Sequence, residues 1–154
     1  MPPDLWRFAE ELYQRPGVEA TCLQLQAQGM DVCLLLCALW LDARAVSWNE
    51  ARGQALRNLA QPWQTQVVMP LRQLRQNWRA AAQDDSALTA LREQVKRLEL
   101  EAERELLQRL AALSRDWPDA ADGQQACWLA RMAGDAAAPD ALQSLRVAAA
   151  QVPV

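Results

Sequence analysis

The sequence predicts an all-α fold, a single-domain bundle of about five to eight helices. Three observations carry that expectation. Apolar residues recur at steps of three and four along most of the chain, the period of a helix with one buried face. Leucine, alanine, glutamine and arginine are abundant while glycine occurs only five times, a balance that favours helix over strand. No stretch alternates apolar and polar residues in the period of two that marks a half-buried strand. With no repeat or glycine-serine linker in 154 residues, one domain over 1–154 is the default.

Asp4 is placed to cap a first helix over about 4–14, with Leu5, Phe8, Ala9 and Leu12 on its inner face. A short second helix restarts near Pro16, carries Val18, Cys22 and Leu25 on one stripe, and ends at Gly29. Asp31 caps a third, over 31–43, whose run "VCLLLCALWL" is apolar on every side. That pattern belongs to a helix enclosed by others, so this one is expected at the centre. Ser47 and Glu50 fit a capping box that opens a fourth helix over 48–60, with Ala51, Ala55, Leu56 and Leu59 inward.

After Pro62 a fifth helix is expected over 62–83, kinked at Pro70 because proline deletes a backbone donor. Its stripe is Val67, Leu71, Leu74 and Trp78. The sixth, over 87–114, carries Leu88, Leu91, Val95, Leu98, Ala102, Leu106, Leu110 and Leu113, a heptad seam broken by a stutter. The fifth and sixth together read as a long helical hairpin. Residues 118–154 hold a turn-rich break and two further short helices over 124–132 and 140–150. The "QVPV" tail is expected to be mobile.

The run from Val32 to Leu41 would span about 15 Å as a helix, against roughly 30 Å of bilayer hydrocarbon, so no membrane span is expected. "MPPDLWRFAEEL" reads as a helix start rather than a signal peptide, so the chain is expected to be cytoplasmic with its four cysteines reduced. Sixteen basic and nineteen acidic residues leave a net charge of -3, which argues against nucleic-acid binding by bulk electrostatics.

The stretches "LWRFAEELYQRPGVEATCLQLQAQGMDVCLLL", "VVMPLRQLR" and "LELEAERELL" together resemble a proteobacterial family of small all-helical proteins catalogued only as a domain of unknown function. The resemblance covers about 4–113. It implies an all-helical fold and supplies no catalytic residue, cofactor or partner.

The chain has no histidine, which removes imidazole bases, histidine-activated nucleophiles and histidine-zinc sites. Five scattered glycines supply no phosphate-binding loop. Cys33 and Cys37, one turn apart, are two ligands where a structural zinc needs four, so no metal or cofactor is expected and both read as buried packing. Glu99 and Glu103 share a helix face and, with Asp31, are the weak candidates for a carboxylate site; Asp31 is more simply a cap. Arg72, Arg75 and Arg79 form a stripe that either grips an acidic partner or pairs with the acids of the next helix.

Seven tryptophans against one phenylalanine and one tyrosine is unusual. Tryptophan and arginine are enriched at binding hot spots, so Trp63, Arg72, Arg75, Trp78 and Arg79 are the candidate partner-binding surface. The expected function is a non-enzymatic interaction or accessory protein that binds a protein partner or itself through 62–83 and 87–114. The alternatives are a small metal-dependent or carboxylate-based enzyme and, more weakly, RNA or ribosome binding through the arginine stripe.

Overall fold

The structure is a computed structural model and describes residues 4–119, 127–134 and 138–153. Local capping explains how the first half of the chain begins and ends its helices. Asp4 Oδ1 accepts from the backbone N–H of Trp6 at 2.6 Å and of Arg7 at 3.3 Å, opening α1 (Leu5–Tyr13). In α2 (Val18–Ala27) the last carbonyls are closed by a glycine turn. The Gly29 N–H donates to Gln26 O at 3.0 Å and the Met30 N–H to Leu25 O at 3.1 Å, with Gly29 at φ +87°. Asp31 Oδ1 then accepts from the Leu34 N–H at 3.1 Å to start α3 (Val32–Ala43).

Every residue of α3 from Leu35 to Leu41 is buried, together with Cys33. The reason is placement. α1 and α2 pack on it, as do α4 (Glu50–Trp63), α7 (Ser86–Ser114), α8 (Trp128–Ala133) and α9 (Pro139–Ala149), so it has no solvent side. The all-round apolar run is the axis of the bundle, and no described helix is long and apolar enough to cross a membrane.

Two expectations about α4 are corrected. Its cap is Asn49, whose side chain accepts from the Ala51 and Arg52 N–H groups at 2.8 and 3.3 Å, rather than Ser47. Of the expected inner face, Leu56 is buried, Leu59 packs half-buried against the core and Ala55 is half-buried, but Ala51 is exposed, and Gly53 and Ala60 complete the buried stripe. Nor does the helix break at Pro62. It runs on through a π-helical turn, Gln64–Val68, into α5 (Met69–Asn77), with Pro70 in the first turn of α5. The wider turn adds a residue where Pro70 would otherwise crowd the preceding carbonyls and leave one without its donor. The first arm of the hairpin therefore begins upstream of 62. α6 (Arg79–Ala82) and the cap Asp85 lead into α7.

The hydrophobic core draws on α1, α2, α3, α4, α8, α9 and the C-terminal half of α7, and takes no residue from α5 or α6. Those two pack chiefly on α7, on the π turn and on each other. From Met69 to about Glu101 the chain is thus an arm only two helices thick. This corrects the seam assigned to α7: Val95, Ala102, Leu106 and Leu110 are buried, but Leu91 is 50% and Leu98 51% exposed, and Leu113 is also exposed. In the arm a single facing helix covers one stripe of α7, and Leu91 and Leu98 lie beside it.

The C-terminal helices are tied into the core more tightly than their sequence suggests. Asp42, on α3, accepts from the Trp128 N–H at 2.7 Å and the Leu129 N–H at 3.1 Å and so caps α8. Fully buried Trp128 donates from Nε1 to Val46 O at 2.8 Å and lies against Trp48 and Trp117. Val152 is buried in the core and the Gln151 carbonyl accepts from Arg15 Nη2 at 2.9 Å, so the tail is docked through Gln151 and Val152. Residues 124–126 of the expected seventh helix lie outside the described residues.

Candidate functional site: an ionic cluster and an apolar cleft beside it

Where the arm joins the body, Arg72 and Arg75 of α5 face α7. Arg75 Nε donates to Glu99 Oε1 at 2.6 Å, Arg72 Nε to Glu99 Oε2 at 3.0 Å, and Arg72 Nη2 to Glu103 Oε1 at 3.4 Å. Arg92 Nε donates to the Arg75 carbonyl at 2.9 Å. Glu99 is only 6% exposed, and both its oxygens are taken by guanidinium groups. Burial alone would push its carboxyl up, but the hydrogen bonds from Arg75 and Arg72 outweigh that and hold it below its ordinary value. Glu103 goes the other way: burial and then the Glu99 charge raise it, with Arg72 opposing.

Asp31 is joined to this region through Gln64, whose Nε2 donates to Asp31 Oδ1 at 2.7 Å. Burial raises the Asp31 carboxyl, against the Leu34 N–H and Gln64. The three candidate carboxylates thus gather around the base of the arm, each already in a hydrogen bond. Among the described residues no group of three or more His, Cys, Asp or Glu side chains is placed to hold a metal ion. Cys22, Cys33, Cys37 and Cys127 are free thiols. Burial pushes Cys37 up to about 12 and Cys33 well above its ordinary value, as for packed rather than reactive thiols.

The five residues of the candidate partner surface have separate roles. Arg72 and Arg75 are turned inward onto Glu99 and Glu103. Trp63 donates from Nε1 to Ala102 O at 2.8 Å under the Arg109 guanidinium, 4.1 Å from its ring centre, and so clamps α4 to α7. Trp78 is half-buried at the junction of α5 and α6, and Arg79 is exposed. Of the three arginines, Arg79 alone presents its charge to solvent.

On the far side of Glu103 a cleft of about 510 Å³ opens between α1, α3 and α7. Its walls include Trp6, Tyr13, Val32, Leu36, Leu100 and Leu107, and Glu103 lines it as well. The sequence reading missed it. A signal was present: Leu100, Glu103 and Leu107 fall at steps of three and four on a second stripe of α7, off the main seam. α1 covers that stripe only in part.

Residues 4–110 match the family described as Protein of unknown function (DUF2390). The chain belongs to this family. The matched segment contains the whole ionic cluster and every wall of the cleft, whereas α8 and α9 lie beyond it. No curated protein and no solved structure matches the chain.

Proposed function

We propose that this family member is a non-enzymatic, cytoplasmic interaction protein that works through its two-helix arm, and that the arm's partner is a second copy of the chain. The observation that carries the reading is the exposure of Leu91 and Leu98 on an arm standing outside the core.

Helical spacing gives that arm two unlike faces. On α5, Leu71, Leu74 and Trp78 recur at steps of three and four and are half-buried. On α7, Leu91, Val95 and Leu98 recur at four and three. These two heptad stripes form half of a four-helix bundle, while Arg72 and Glu103 turn to the other face. A second arm supplies the missing pair of helices with the same spacing. An antiparallel approach about a twofold axis between Gln94 and Val95 sets Leu91 of each copy against Leu98 of the other.

The competing readings have less support. Of the three candidate carboxylates, Glu99 is held on both oxygens by arginine and Asp31 caps α3, which leaves Glu103 without a second free member of that set for acid-base work. A phosphate grip needs outward arginines, and two of the three are paired.

Sedimentation equilibrium tests the proposal. The wild type is expected to be dimeric at micromolar concentration and Leu91→Glu/Leu98→Glu monomeric with unchanged helical circular dichroism. A wild type that stays monomeric up to its solubility limit, or a double variant that still dimerises, would overturn it.

A further inference from the structure

We infer that the cleft between α1, α3 and α7 is a binding site for an organic ammonium ion with an apolar body. Its volume of about 510 Å³ lies within the roughly 300–1,000 Å³ of small-molecule sites, and its walls are mainly apolar or aromatic. Among the described residues the only charged ones in that lining are Glu10 and Glu103, and no lysine or arginine belongs to it. An anionic ligand would bring its charge against two carboxylates in a partly desolvated place, whereas a cation completes them.

Glu103 has acceptor capacity to give. Its one side-chain hydrogen bond among the described residues is the long one from Arg72 to Oε1, at 3.4 Å, and Oε2 has no donor there. The remaining polar residues of that lining add no positive charge, and the guanidinium groups that flank it, Arg72 and Arg104, lie on Glu103 and on the Trp6 ring. Cys33, at the floor, is buried and directs its thiol to the Glu103 carbonyl at 3.8 Å. The Tyr13 phenol, part-exposed at the cleft mouth and neutral at pH 7 even at its ordinary pKa, is raised further by partial burial and then by Cys22, and it offers a ring to a cation. One face of Trp6 is already covered by the Arg104 guanidinium, 4.8 Å from the ring centre, which leaves Tyr13 as the aromatic contact for the ligand's charge. Trp6, Leu100 and Leu107 take the apolar body.

This inference does not depend on the arm, and its test separates the two. Calorimetric titration with 4-phenylbutylamine, 4-phenylbutanol and 4-phenylbutyrate holds the apolar body constant while the head group changes. The amine is expected to bind at least about tenfold more tightly than the alcohol, the step one desolvated ion pair supplies. The carboxylate is expected to bind more weakly than either. Glu103→Gln should erase the preference for amine over alcohol while alcohol binding persists, and Glu10→Gln, at an exposed position, should weaken it in part. Leu91→Glu/Leu98→Glu should bind the amine as the wild type does. Equal binding of amine and carboxylate, no binding of any of the three, or an undiminished amine preference in folded Glu103→Gln would each overturn the assignment.

Discussion

Glu99 Oε1 lies 2.6 Å from Arg75 Nε, in a place where the glutamate side chain is 9% exposed. Glu99 is the one carboxylate shared by both inward arginines, and it fastens α5 to α7 near the base of the arm. Removing it leaves the partly buried Arg75 guanidinium without a carboxylate among the described residues and Arg72 with only the longer contact to Glu103. Glu99→Ala should therefore cost about 3 kcal/mol in urea unfolding. Glu103→Gln should leave stability at pH 7 unchanged or raise it by about 1 kcal/mol or less, since it removes a carboxyl that burial and Glu99 disfavour.

The two directions of shift give a pH profile. Glu99 is depressed in the folded state, so its contribution is present above the ordinary carboxylate range and is lost as pH falls through its folded pKa. Asp31, Asp42 and Glu103 are raised, so the folded chain binds their protons more readily and stability falls as pH rises from the ordinary carboxylate range through their folded values. Melting temperature should peak in the mildly acidic region. Glu99→Gln should flatten the acid limb and Asp31→Asn the limb above it; a monotonic rise to neutrality in the wild type would contradict these assignments.

Asp42 holds the start of α8 from another helix, accepting from the Trp128 and Leu129 N–H groups. Asp42→Ala should cost about 2 kcal/mol, the upper end for a lost helix cap, and Asp42→Asn distinctly less. Hydrogen exchange at those two amides should accelerate in the alanine variant before exchange in α3 does.

The turn after α3 has the hydrogen bonds of the glycine turn after α2, with the Ala45 N–H donating to Asp42 O at 3.0 Å and the Val46 N–H to Leu41 O at 3.0 Å. Ala45 sits there at φ +56°, which is costly for a residue with a Cβ. Ala45→Gly should gain about 1 kcal/mol or less in thermal unfolding. Gly53→Ala should go the other way. Its Cβ would be driven into the Trp48 indole, which is wedged against Trp128, and the tryptophan cluster would have to open.

Within α3, Leu35→Asp or Leu36→Asp should abolish folding, because either carboxylate would be buried with no partner. Cys33→Ala and Cys37→Ala should each cost about 1–2 kcal/mol, the loss of a small buried group. In the native protein at pH 8 a disulfide-exchange reagent should modify half-buried Cys127 first and leave Cys33 and Cys37 protected until unfolding.

Much of this architecture is legible along the chain because its causes are local. The Asp4 and Asp31 caps and the glycine turn at Gly29 depend on side chains and φ angles within a few residues, and each is found as the spacing predicts. The central position of α3 follows from its composition alone, since a helix with no polar face has nowhere else to go. Asn49 displaced Ser47 as a cap because both lie within reach of the same helix start, and only the observed entry of the chain selects between them.

The candidate site was legible in part. Spacing placed Glu99 and Glu103 on one face of α7 and the arginines on one stripe of α5, but not which face met which. Whether Arg72 and Arg75 point to a partner or to Glu99 depends on the rotation of α5 about its axis against α7, which no residue of either helix states alone. The cleft arises similarly, from α1 covering the Leu100–Leu107 stripe incompletely.

The sequence by itself determined the helical class, most helix starts and stops, and the identity of the buried axis, because period, capping and all-round apolarity act over one to three turns. The tertiary structure alone decided the pairing of Arg72 and Arg75 with Glu99, the Asp42 cap on α8 from 86 residues away, and the exposure of Leu91 and Leu98. Each of these is a relation between surfaces distant in the chain, set by how the helices rotate and approach when the core closes. Burial there is a property of the neighbour that arrives, or does not arrive, over a stripe.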